Sequence, residues 1–260
     1  MMILQAIIYG LVQGITEFLP ISSTAHLILI PYFFHWQDPG LSFDIFLHLG
    51  TLIAIISFFA KDWIKIFKNK HKLLGLIVVA CLPAAILGYA FEDKVETSLR
   101  SPLLIAGTLF IFGLVIYLVD RFMKHTQKLK NMSYLQSILI GLGQSLALIP
   151  GISRSGATMT AGIALGFKRK TAAKFSFLIA TPIMLGATIF KFKDLVSIPI
   201  TNWFNGFSMI AAIIGFIVAL ISGYLAIKYL LKYLERGSFV PFVVYRIILA
   251  IIIVIVYLIR

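Results

Sequence analysis

Charged residues and cysteine are scarce in this sequence, and each scarcity excludes certain classes of protein or kinds of site. Charged residues make up only 13% of the 260 residues, and hydrophobic residues make up 60%, whereas a soluble domain has about 25% charged and about 45–50% apolar residues. These proportions exclude a disordered chain, a nucleic-acid-binding tail protein and almost any soluble enzyme of this size. The single cysteine, Cys81, excludes a disulfide framework and a cysteine-based metal cluster.

Acidic residues are the scarcest charged class, with 10 against 23 basic residues and a formal net charge of +13. Sixteen of the 23 basic residues fall in four short segments, which are 61–72, 121–130, 168–174 and 228–236. Segment 91–100 is the exception, because its acidic residues outnumber its basic ones. Since Lys and Arg are enriched in cytoplasmic loops, we expect the four basic segments inside and 91–100 outside. The basic residues therefore predict topology and contact with anionic lipid, not a nucleic-acid partner.

Long apolar runs recur along the whole chain, near the spanning length of about 20 residues. Six are uninterrupted, at about 41–60, 73–91, 102–120, 175–192, 207–230 and 239–259. Two longer stretches, about 3–34 and 134–167, contain proline, glycine and polar residues, and the charge pattern requires each to enter and return on one side. The prediction is an all-α integral membrane protein with one membrane domain over 1–260. It has about six spanning helices plus two re-entrant helical hairpins, and leaves Arg260 outside.

The sequence repeats itself at a shift of 131 residues. The matched pairs are Gln5 and Gln136, Gly10 and Gly141, Leu11 and Leu142, Gln13 and Gln144, Ile21 and Ile152, Ser22 and Ser153, Phe46 and Phe177, and Leu47 and Leu178. These pairs include Gln, Gly and Ser, so they are not explained by apolar composition alone. The repeat halves are about 1–130 and 131–260, and the charge pattern makes their hairpins enter from opposite sides. Such inverted-topology repeats place binding sites near the bilayer midplane, where broken helices meet.

Both hairpins break in the same way. The first break lies in EFLPISSTAH, Glu17 to His26, and the second in LIPGISRSGAT, Leu148 to Thr158. Proline interrupts one half-helix, and a serine supplies the N-cap of the next. Helix N-termini bind anions through free backbone N–H groups. Two such ends with Arg154 beside them predict a pocket for an anion, and phosphate is the natural guess.

Few ionisable residues lie in the apolar stretches, and each is a functional hypothesis because burial of charge is costly. They are Glu17, His26, Asp44, His48, Arg154 and Arg246. Gln13 and Glu17 share a helix face, which suits a divalent cation that takes oxygen ligands and bridges to phosphate. Ser23 and His26 are three residues apart, the arrangement of a nucleophile and its base.

Structural roles compete with each of these interpretations. Glu17 could be the buried ion-pair partner of Arg154 or Arg246, and His26 a hydrogen-bonded core histidine. Ser22 and Ser153 could serve as helix caps alone, and capping is their expected main role. For Asp44 and His48 a structural role and a place at a cavity mouth stay open. Arg246 is equally compatible with a site and with a structural pair.

Two segments resemble the signature regions of the bacitracin-resistance-type undecaprenyl-pyrophosphate phosphatases. They are QGITEFLPISSTAH, Gln13 to His26, and PGISRSGAT, Pro150 to Thr158, and the resemblance extends over essentially the whole chain. It implies a metal-dependent enzyme of the bacterial inner membrane, with Mg²⁺ or Ca²⁺ and an outward-facing site. That enzyme removes the terminal phosphate of undecaprenyl pyrophosphate, which recycles the cell-wall lipid carrier and contributes to bacitracin resistance. The implied partners are a polyprenyl pyrophosphate lipid and the bilayer, while a homodimer stays an open alternative that the sequence does not decide.

The resemblance also implies residue roles. Glu17 matches a metal-binding acid, whereas Gln13 stands where many members have Glu, which puts the number of metals in doubt. Ser23 matches the proposed nucleophile and His26 its base or acid. Ser153, Arg154 and Thr158 match the second signature and should bind phosphate. Apart from the resemblance, Ser22 is a candidate phosphate-binding residue and Arg246 a candidate additional site residue.

Two questions stay open from the sequence. The attacking group is either Ser23, which would form a phosphoserine intermediate, or a water molecule activated by His26 or the metal. The alternative function is a transporter or flippase for a phosphorylated lipid, because inverted repeats with broken helices are common in transporters.

Overall fold

The structure, a computed structural model, describes residues 2–98, 101–196, 203–204 and 206–260. Within those ranges the chain is helical and has no strand, apart from one isolated backbone bridge between Gln127 and Phe167. The α-helices are α1 (Met2–Phe18), α2 (Ser23–Phe34), α3 (Leu41–Phe58), α4 (Ala60–Asn69), α5 (His71–Ser98), α6 (Pro102–Phe122), α7 (Tyr134–Ser145), α8 (Arg154–Ala164), α9 (Arg169–Val196), α10 (Met209–Tyr233) and α11 (Val240–Ile259). Short 3₁₀ turns lie at Leu129–Asn131 and Leu146–Leu148.

The chain is an all-α membrane protein, as predicted. Among the described residues five helices are long and apolar enough to cross a bilayer, and α3 with α4 forms a sixth, bent by 62°. All six predicted spans have a matching helix, although α3 ends at Phe58 and the chain turns away into α4. The reason is that α4 intersperses lysines among apolar residues, which suits a helix lying at the membrane surface.

The two interrupted stretches are helical hairpins. Tyr9 packs against Trp36, with ring centroids 5.9 Å apart, so α2 returns alongside α1. In the second hairpin a Cβ on Gly143 would meet Ala161 at 2.9 Å, so α8 returns alongside α7. The two breaks meet inside the bundle, where the Ser155 hydroxyl donates to the Leu19 carbonyl over 2.9 Å.

The repeat is visible in the order of the helices. α1, α2, α3, α5 and α6 of the first half correspond to α7, α8, α9, α10 and α11 of the second. The shift of 131 residues carries the first residue of α2, Ser23, onto the first residue of α8, Arg154. Their N-caps, Ser22 and Ser153, have nearly the same backbone φ, 75° and 77°. The conformation of the break is therefore a property of the repeat.

Corresponding helices run in opposite directions. In the pair α6 and α11, the Leu109 carbonyl accepts from Arg246 and the Asp120 carboxylate accepts from the Phe239 backbone N–H. The residue number rises along α6 as it falls along α11, so the two equivalents are antiparallel. Equivalents α3 and α9 are antiparallel too, because the start of α3 faces the end of α9 across one cavity. The halves are thus an inverted repeat, as predicted.

The four basic segments meet at one end of the bundle. Ion pairs there join Lys174 to Asp62 over 2.7 Å, Arg169 to Asp120 over 2.6 Å and Lys170 to Glu235 over 2.6 Å. Arg260 lies at the opposite end, over the ring of Tyr32. The side chains of 92–98 and all of 99–100 lie outside the described residues, so the placement of the acidic segment stays a prediction.

Candidate active site

The site is built around the N-termini of α2 and α8, which converge at the two breaks. The Ser22 hydroxyl accepts from the Ala25 backbone N–H over 3.4 Å, and the Ser153 hydroxyl accepts from that of Gly156 over 3.1 Å. Both serines have a positive φ, which is uncommon for a residue with a side chain. The expected capping role of both is confirmed. Each half of the chain thus presents the positive end of a helix, which favours an anion.

A cavity of about 330 Å³ runs from the breaks to the end of the bundle opposite the basic segments. Its polar lining comprises Glu17, Ser22, Ser23, Thr24, Asp38, Asp44, His48, Ser153, Arg154, Thr188 and Lys191. A second cavity of about 620 Å³ adjoins it and shares Thr24, Ile28, Pro150, Ile183, Ala187 and Lys191. The second cavity is mostly apolar and lies between α2, α5 and α9. A polar chamber therefore opens sideways into an apolar one.

Glu17 is the centre of the polar cluster and is 8% exposed. Its Oε1 accepts from Arg154 Nη2 over 2.7 Å. Its Oε2 accepts from the Ser23 hydroxyl over 2.7 Å and from Gln13 Nε2 over 3.1 Å. Glu17 is therefore an ion-pair partner of Arg154, as one interpretation of the sequence required. It is also placed to receive the Ser23 proton.

Arg154 has one donor to spare. Nη2 is taken by Glu17, but Nη1 is buried and has no hydrogen-bond partner in the part of the chain that the structure describes. An unpaired buried guanidinium donor is costly, and guanidinium groups bind phosphate oxygens well. Arg154 thus has the geometry to hold Glu17 and a phosphate at the same time.

No hydrogen bond joins His26 to Ser23 in this structure, so the predicted nucleophile–base pair is not formed here. His26 Nδ1 lies 2.6 Å from the Ser22 carbonyl, and Nε2 lies 2.6 Å from the Tyr245 hydroxyl. A carbonyl only accepts, so Nδ1 carries the proton and Nε2 accepts from Tyr245. The ring also stacks on Tyr245, with centroids 5.6 Å apart. The partner that fixes His26 comes from α11, and helical spacing within α2 could not predict it.

Thr158 lies behind the site and does not line the cavity. Its hydroxyl is 2.8 Å from the Arg154 carbonyl and 2.6 Å from the Ser176 hydroxyl, and the residue is 1% exposed. Phosphate binding by Thr158 therefore stays a prediction, and in this structure its hydroxyl bonds only to other protein groups. It fixes the first turn of α8, and with it Arg154, against α9.

Arg246 is fully buried and also stands apart from the cavity. Its guanidinium donates to five backbone carbonyls, those of Pro20, Thr108, Leu109, Gly151 and Ile152. Pro20 belongs to the first break, and Gly151 and Ile152 to the second. Of the two roles left open for Arg246, this arrangement supports the structural one: Arg246 ties the two breaks together, and neutral carbonyls rather than a carboxylate accept its hydrogen bonds.

Several lining residues had little or no assignment from the sequence. Asp44 and His48, for which the sequence leaves a structural and a cavity role open, both line the cavity. Lys191 also lines it, and Tyr245 contacts His26 outside the lining; the sequence predicts a role for neither. Lys191 had one available signal, because it stands near the end of a predicted span and would reach a cavity mouth there.

The donor set fits a cation that is shared with a phosphate ligand. No group of three or more His, Cys, Asp or Glu that could hold a metal occurs in the described ranges. The Gln13 Oε1 atom, however, is buried without a hydrogen-bond partner, while the Nε2 atom of the same amide donates to Glu17. An amide oxygen next to a carboxylate suits Mg²⁺ or Ca²⁺, and Mg²⁺ is commonly held by one or two carboxylates plus substrate phosphates.

Comparison with known proteins identifies the family. The family model described as "Bacitracin resistance protein BacA" matches residues 6–252. The chain belongs to this family. An undecaprenyl-diphosphatase of Moorella thermoacetica is 47% identical over 268 residues, covering 100% of both chains. An undecaprenyl-diphosphatase of Elusimicrobium minutum is 45% identical over 258 residues, covering 96% of each chain. The family assignment agrees with the resemblance of the two signature segments.

Proposed function

We propose that this chain is an undecaprenyl-diphosphatase of the bacterial inner membrane. It hydrolyses undecaprenyl pyrophosphate to undecaprenyl phosphate and inorganic phosphate, which recycles the cell-wall lipid carrier and contributes to bacitracin resistance. The observation that carries the proposal is the cluster of Ser23, Glu17 and Arg154 at two converging helix N-termini. Family membership and the names of the relatives support it.

The two adjoining cavities match the two parts of such a substrate. The polar cavity of about 330 Å³ holds the pyrophosphate between Arg154, Lys191 and the N-termini of α2 and α8. The apolar cavity of about 620 Å³ takes the first part of the polyprenyl chain and directs it toward the lipid between α5 and α9. Because the cavity mouth lies opposite the basic segments, the positive-inside rule places it on the outer side.

In the proposed reaction the Ser23 oxygen attacks the terminal phosphorus while its proton passes to Glu17 Oε2, 2.7 Å away. The bond from phosphorus to the bridging oxygen breaks, and undecaprenyl phosphate leaves. Once Glu17 is protonated, Arg154 is released from its ion pair and both its terminal nitrogens can hold the developing charge. In the second step a water molecule attacks the phosphorus of the phosphoserine and its protons stay with the released inorganic phosphate, while Glu17 returns its proton to the Ser23 oxygen as the bond from that oxygen to phosphorus breaks. His26 and Tyr245 hold the Ser22 carbonyl and so position the turn before Ser23.

We also propose that Mg²⁺ or Ca²⁺ is bound together with the pyrophosphate. Gln13 Oε1 and Glu17 Oε1 are the atoms that would hold it, which leaves Glu17 Oε2 to accept the Ser23 proton. The cation would neutralise phosphate charge. Too few protein ligands are present for tight binding without the substrate.

The direct test is phosphate release from undecaprenyl pyrophosphate by the purified protein in detergent, with Mg²⁺ or Ca²⁺ and then with EDTA. We expect cation-dependent release that Arg154→Ala abolishes. Arg121→Ala is the matched control, because Arg121 is exposed at the basic end. No release from a monodisperse sample would overturn the assignment.

Lipid transport is the second candidate function, and the inverted repeat of antiparallel halves favours it. Such repeats support alternating access around a central site. Movement of a phosphorylated polyprenyl lipid across proteoliposomes by Ser23→Ala, which lacks the nucleophile, would establish transport independent of hydrolysis.

A further inference from the structure

Lys191 lies where the polar cavity and the apolar cavity meet. The junction between them comprises the residues that line both cavities, which are Thr24, Ile28, Pro150, Ile183, Ala187 and Lys191. Of these residues, only Thr24 and Lys191 have a polar group in the side chain, and only Lys191 carries a charge. A charged side chain at the edge of an apolar cavity in a membrane protein is costly, so Lys191 is a functional candidate.

The charged residues around the two cavities are unevenly distributed. Three carboxylates and one guanidinium line the polar cavity and not the apolar one, and they belong to Glu17, Asp38, Asp44 and Arg154. Among the described residues that line the apolar cavity, Lys191 is the only charged one. An anionic group at the junction therefore has Lys191 as the cation in its own surroundings, whereas the carboxylates belong to the polar cavity.

The two phosphates of the proposed substrate occupy different places in these cavities. The proposed reaction requires the terminal phosphorus at the Ser23 oxygen, and both Ser23 and Arg154 line the polar cavity but not the apolar one. The polyprenyl chain occupies the apolar cavity. Because the lipid-side phosphate is bonded both to that chain and to the terminal phosphate, it lies at the junction of the two cavities, which Lys191 lines.

We propose that Lys191 binds the lipid-side phosphate of the substrate and holds it at the junction. The inference deepens the proposed function and rests on it. A lysine ammonium is a compact positive charge with three N–H donors. The lipid-side phosphate gains negative charge when the bond from the terminal phosphorus to the bridging oxygen breaks. Lys191 thus stabilises the leaving group, undecaprenyl phosphate, while Arg154 and the two helix N-termini hold the terminal phosphate.

This placement makes the enzyme selective for a lipid diphosphate. A lipid monophosphate that keeps its chain in the apolar cavity has its one phosphate at Lys191 and not at the Ser23 oxygen. The product therefore binds without being hydrolysed further, and Lys191 contributes to its affinity. Undecaprenol, which has the same chain and no phosphate, gains no such contribution from Lys191.

The test measures the binding of undecaprenyl phosphate and of undecaprenol to the full chain in detergent by microscale thermophoresis. We expect Lys191→Met to weaken the binding of undecaprenyl phosphate at least about tenfold, because it removes a charge-assisted hydrogen bond. The binding of undecaprenol should not change, and Lys191→Arg, which keeps the charge, should retain most of the affinity. Lys193→Met is the matched control, because Lys193 is exposed on the same helix and lines neither cavity.

A second measurement needs no variant. Lysines of the unmodified protein are acetylated in the presence of either lipid, and the modified peptides are quantified by mass spectrometry. We expect undecaprenyl phosphate to protect Lys191 more strongly than undecaprenol does, whereas Lys193 should react to the same extent with either lipid present.

Three results would overturn the inference. These are an unchanged affinity of Lys191→Met for undecaprenyl phosphate, an equal loss of its affinity for undecaprenol, and equal acetylation of Lys191 in the presence of the two lipids. The third result requires no variant, so a folding defect in Lys191→Met does not rescue the proposal. Neither measurement depends on turnover, so phosphate release by the unmodified protein decides the proposed function separately.

Discussion

At the scale of single residues, Ser23 lies within hydrogen-bond distance of Glu17. Substitution of Ser23 distinguishes two mechanisms, attack by Ser23 and attack by a water molecule. With Ser23 as the nucleophile, Ser23→Ala should lower phosphate release by at least about 1,000-fold. The measurement is turnover in detergent with undecaprenyl pyrophosphate. Rapid acid quenching and mass spectrometry of the unmodified protein should then find phosphate on Ser23. Robust turnover by Ser23→Ala would instead assign the attack to water held by Glu17.

Replacing the two buried arginines, Arg154 and Arg246, should affect the stability and the activity of the protein differently. Arg246→Met leaves five carbonyls without their donor, and unsatisfied buried acceptors cost about 1–3 kcal/mol each. We expect a loss of at least about 3 kcal/mol in stability, measured by unfolding in mixed micelles, together with lost activity. Arg154→Met should abolish activity with a smaller change in stability, because it touches one carboxylate. Equal stability losses would contradict these roles.

The contacts of a site residue could be predicted from the sequence when its hydrogen-bond or ion-pair partner also lay in one of the two signature segments. Glu17 with Arg154, and the capping serines, follow from two short motifs that the repeat brings together. His26, Thr158 and Arg246 have hydrogen-bond partners that the sequence did not predict, because those partners lie on other helices or in the two breaks: Tyr245 on α11, Ser176 on α9 and carbonyls of both breaks. Spacing along one helix identifies neighbours on that helix and gives no information about the helices packed against it.

At the scale of helices, glycine permits two symmetry-related close contacts. Gly10 on α1 packs against the Gly215 carbonyl on α10, and its repeat equivalent Gly141 on α7 packs against the Ala80 carbonyl on α5. A Cβ at either position would overlap that carbonyl. Small residues at membrane helix interfaces allow such approach of backbones. Each re-entrant hairpin is therefore held by a long helix of the other half of the chain.

This packing predicts a contrast between two glycine-to-alanine substitutions. Gly141→Ala forces α7 away from α5 and should cost at least about 1 kcal/mol. Gly107→Ala, on α6, meets nothing within 4 Å and should be neutral or stabilising by up to about 1 kcal/mol, because alanine is the better helix former. Thermal unfolding in detergent checks both. A Gly141→Ala protein as stable as Gly107→Ala would show that the contact is not tight.

The helices themselves were largely predictable, because apolar length and the positions of proline and serine define their ends. The bend between α3 and α4 was not, since no proline or glycine marks it. The lysines of α4 were used to orient the chain, although their spacing also indicated a helix along the surface. The lysines of α4 thus indicate both the orientation of the chain and a helix along the surface, and only the orientation was predicted from them.

At the scale of the whole molecule, the site belongs to neither half alone. The first half supplies Glu17 and Ser23, and the second supplies Arg154 and, in α11, Arg246. The antiparallel halves bring two helix N-termini together although each half has only one. Because the halves are inverted repeats, two positive helix N-termini meet at the site, whereas a single hairpin would supply only one.

Charge separation along the bundle leads to the last prediction, which concerns orientation. The basic segments meet at one end and the cavity opens at the other, so the cavity should face the periplasmic or outer side. In a Cys81→Ser background, Gln37→Cys, exposed near the cavity mouth, should react with a membrane-impermeant maleimide in intact spheroplasts. Lys128→Cys, exposed in a basic segment, should react only after permeabilisation. The reverse pattern would make the cavity face the cytoplasm and would contradict the predicted orientation.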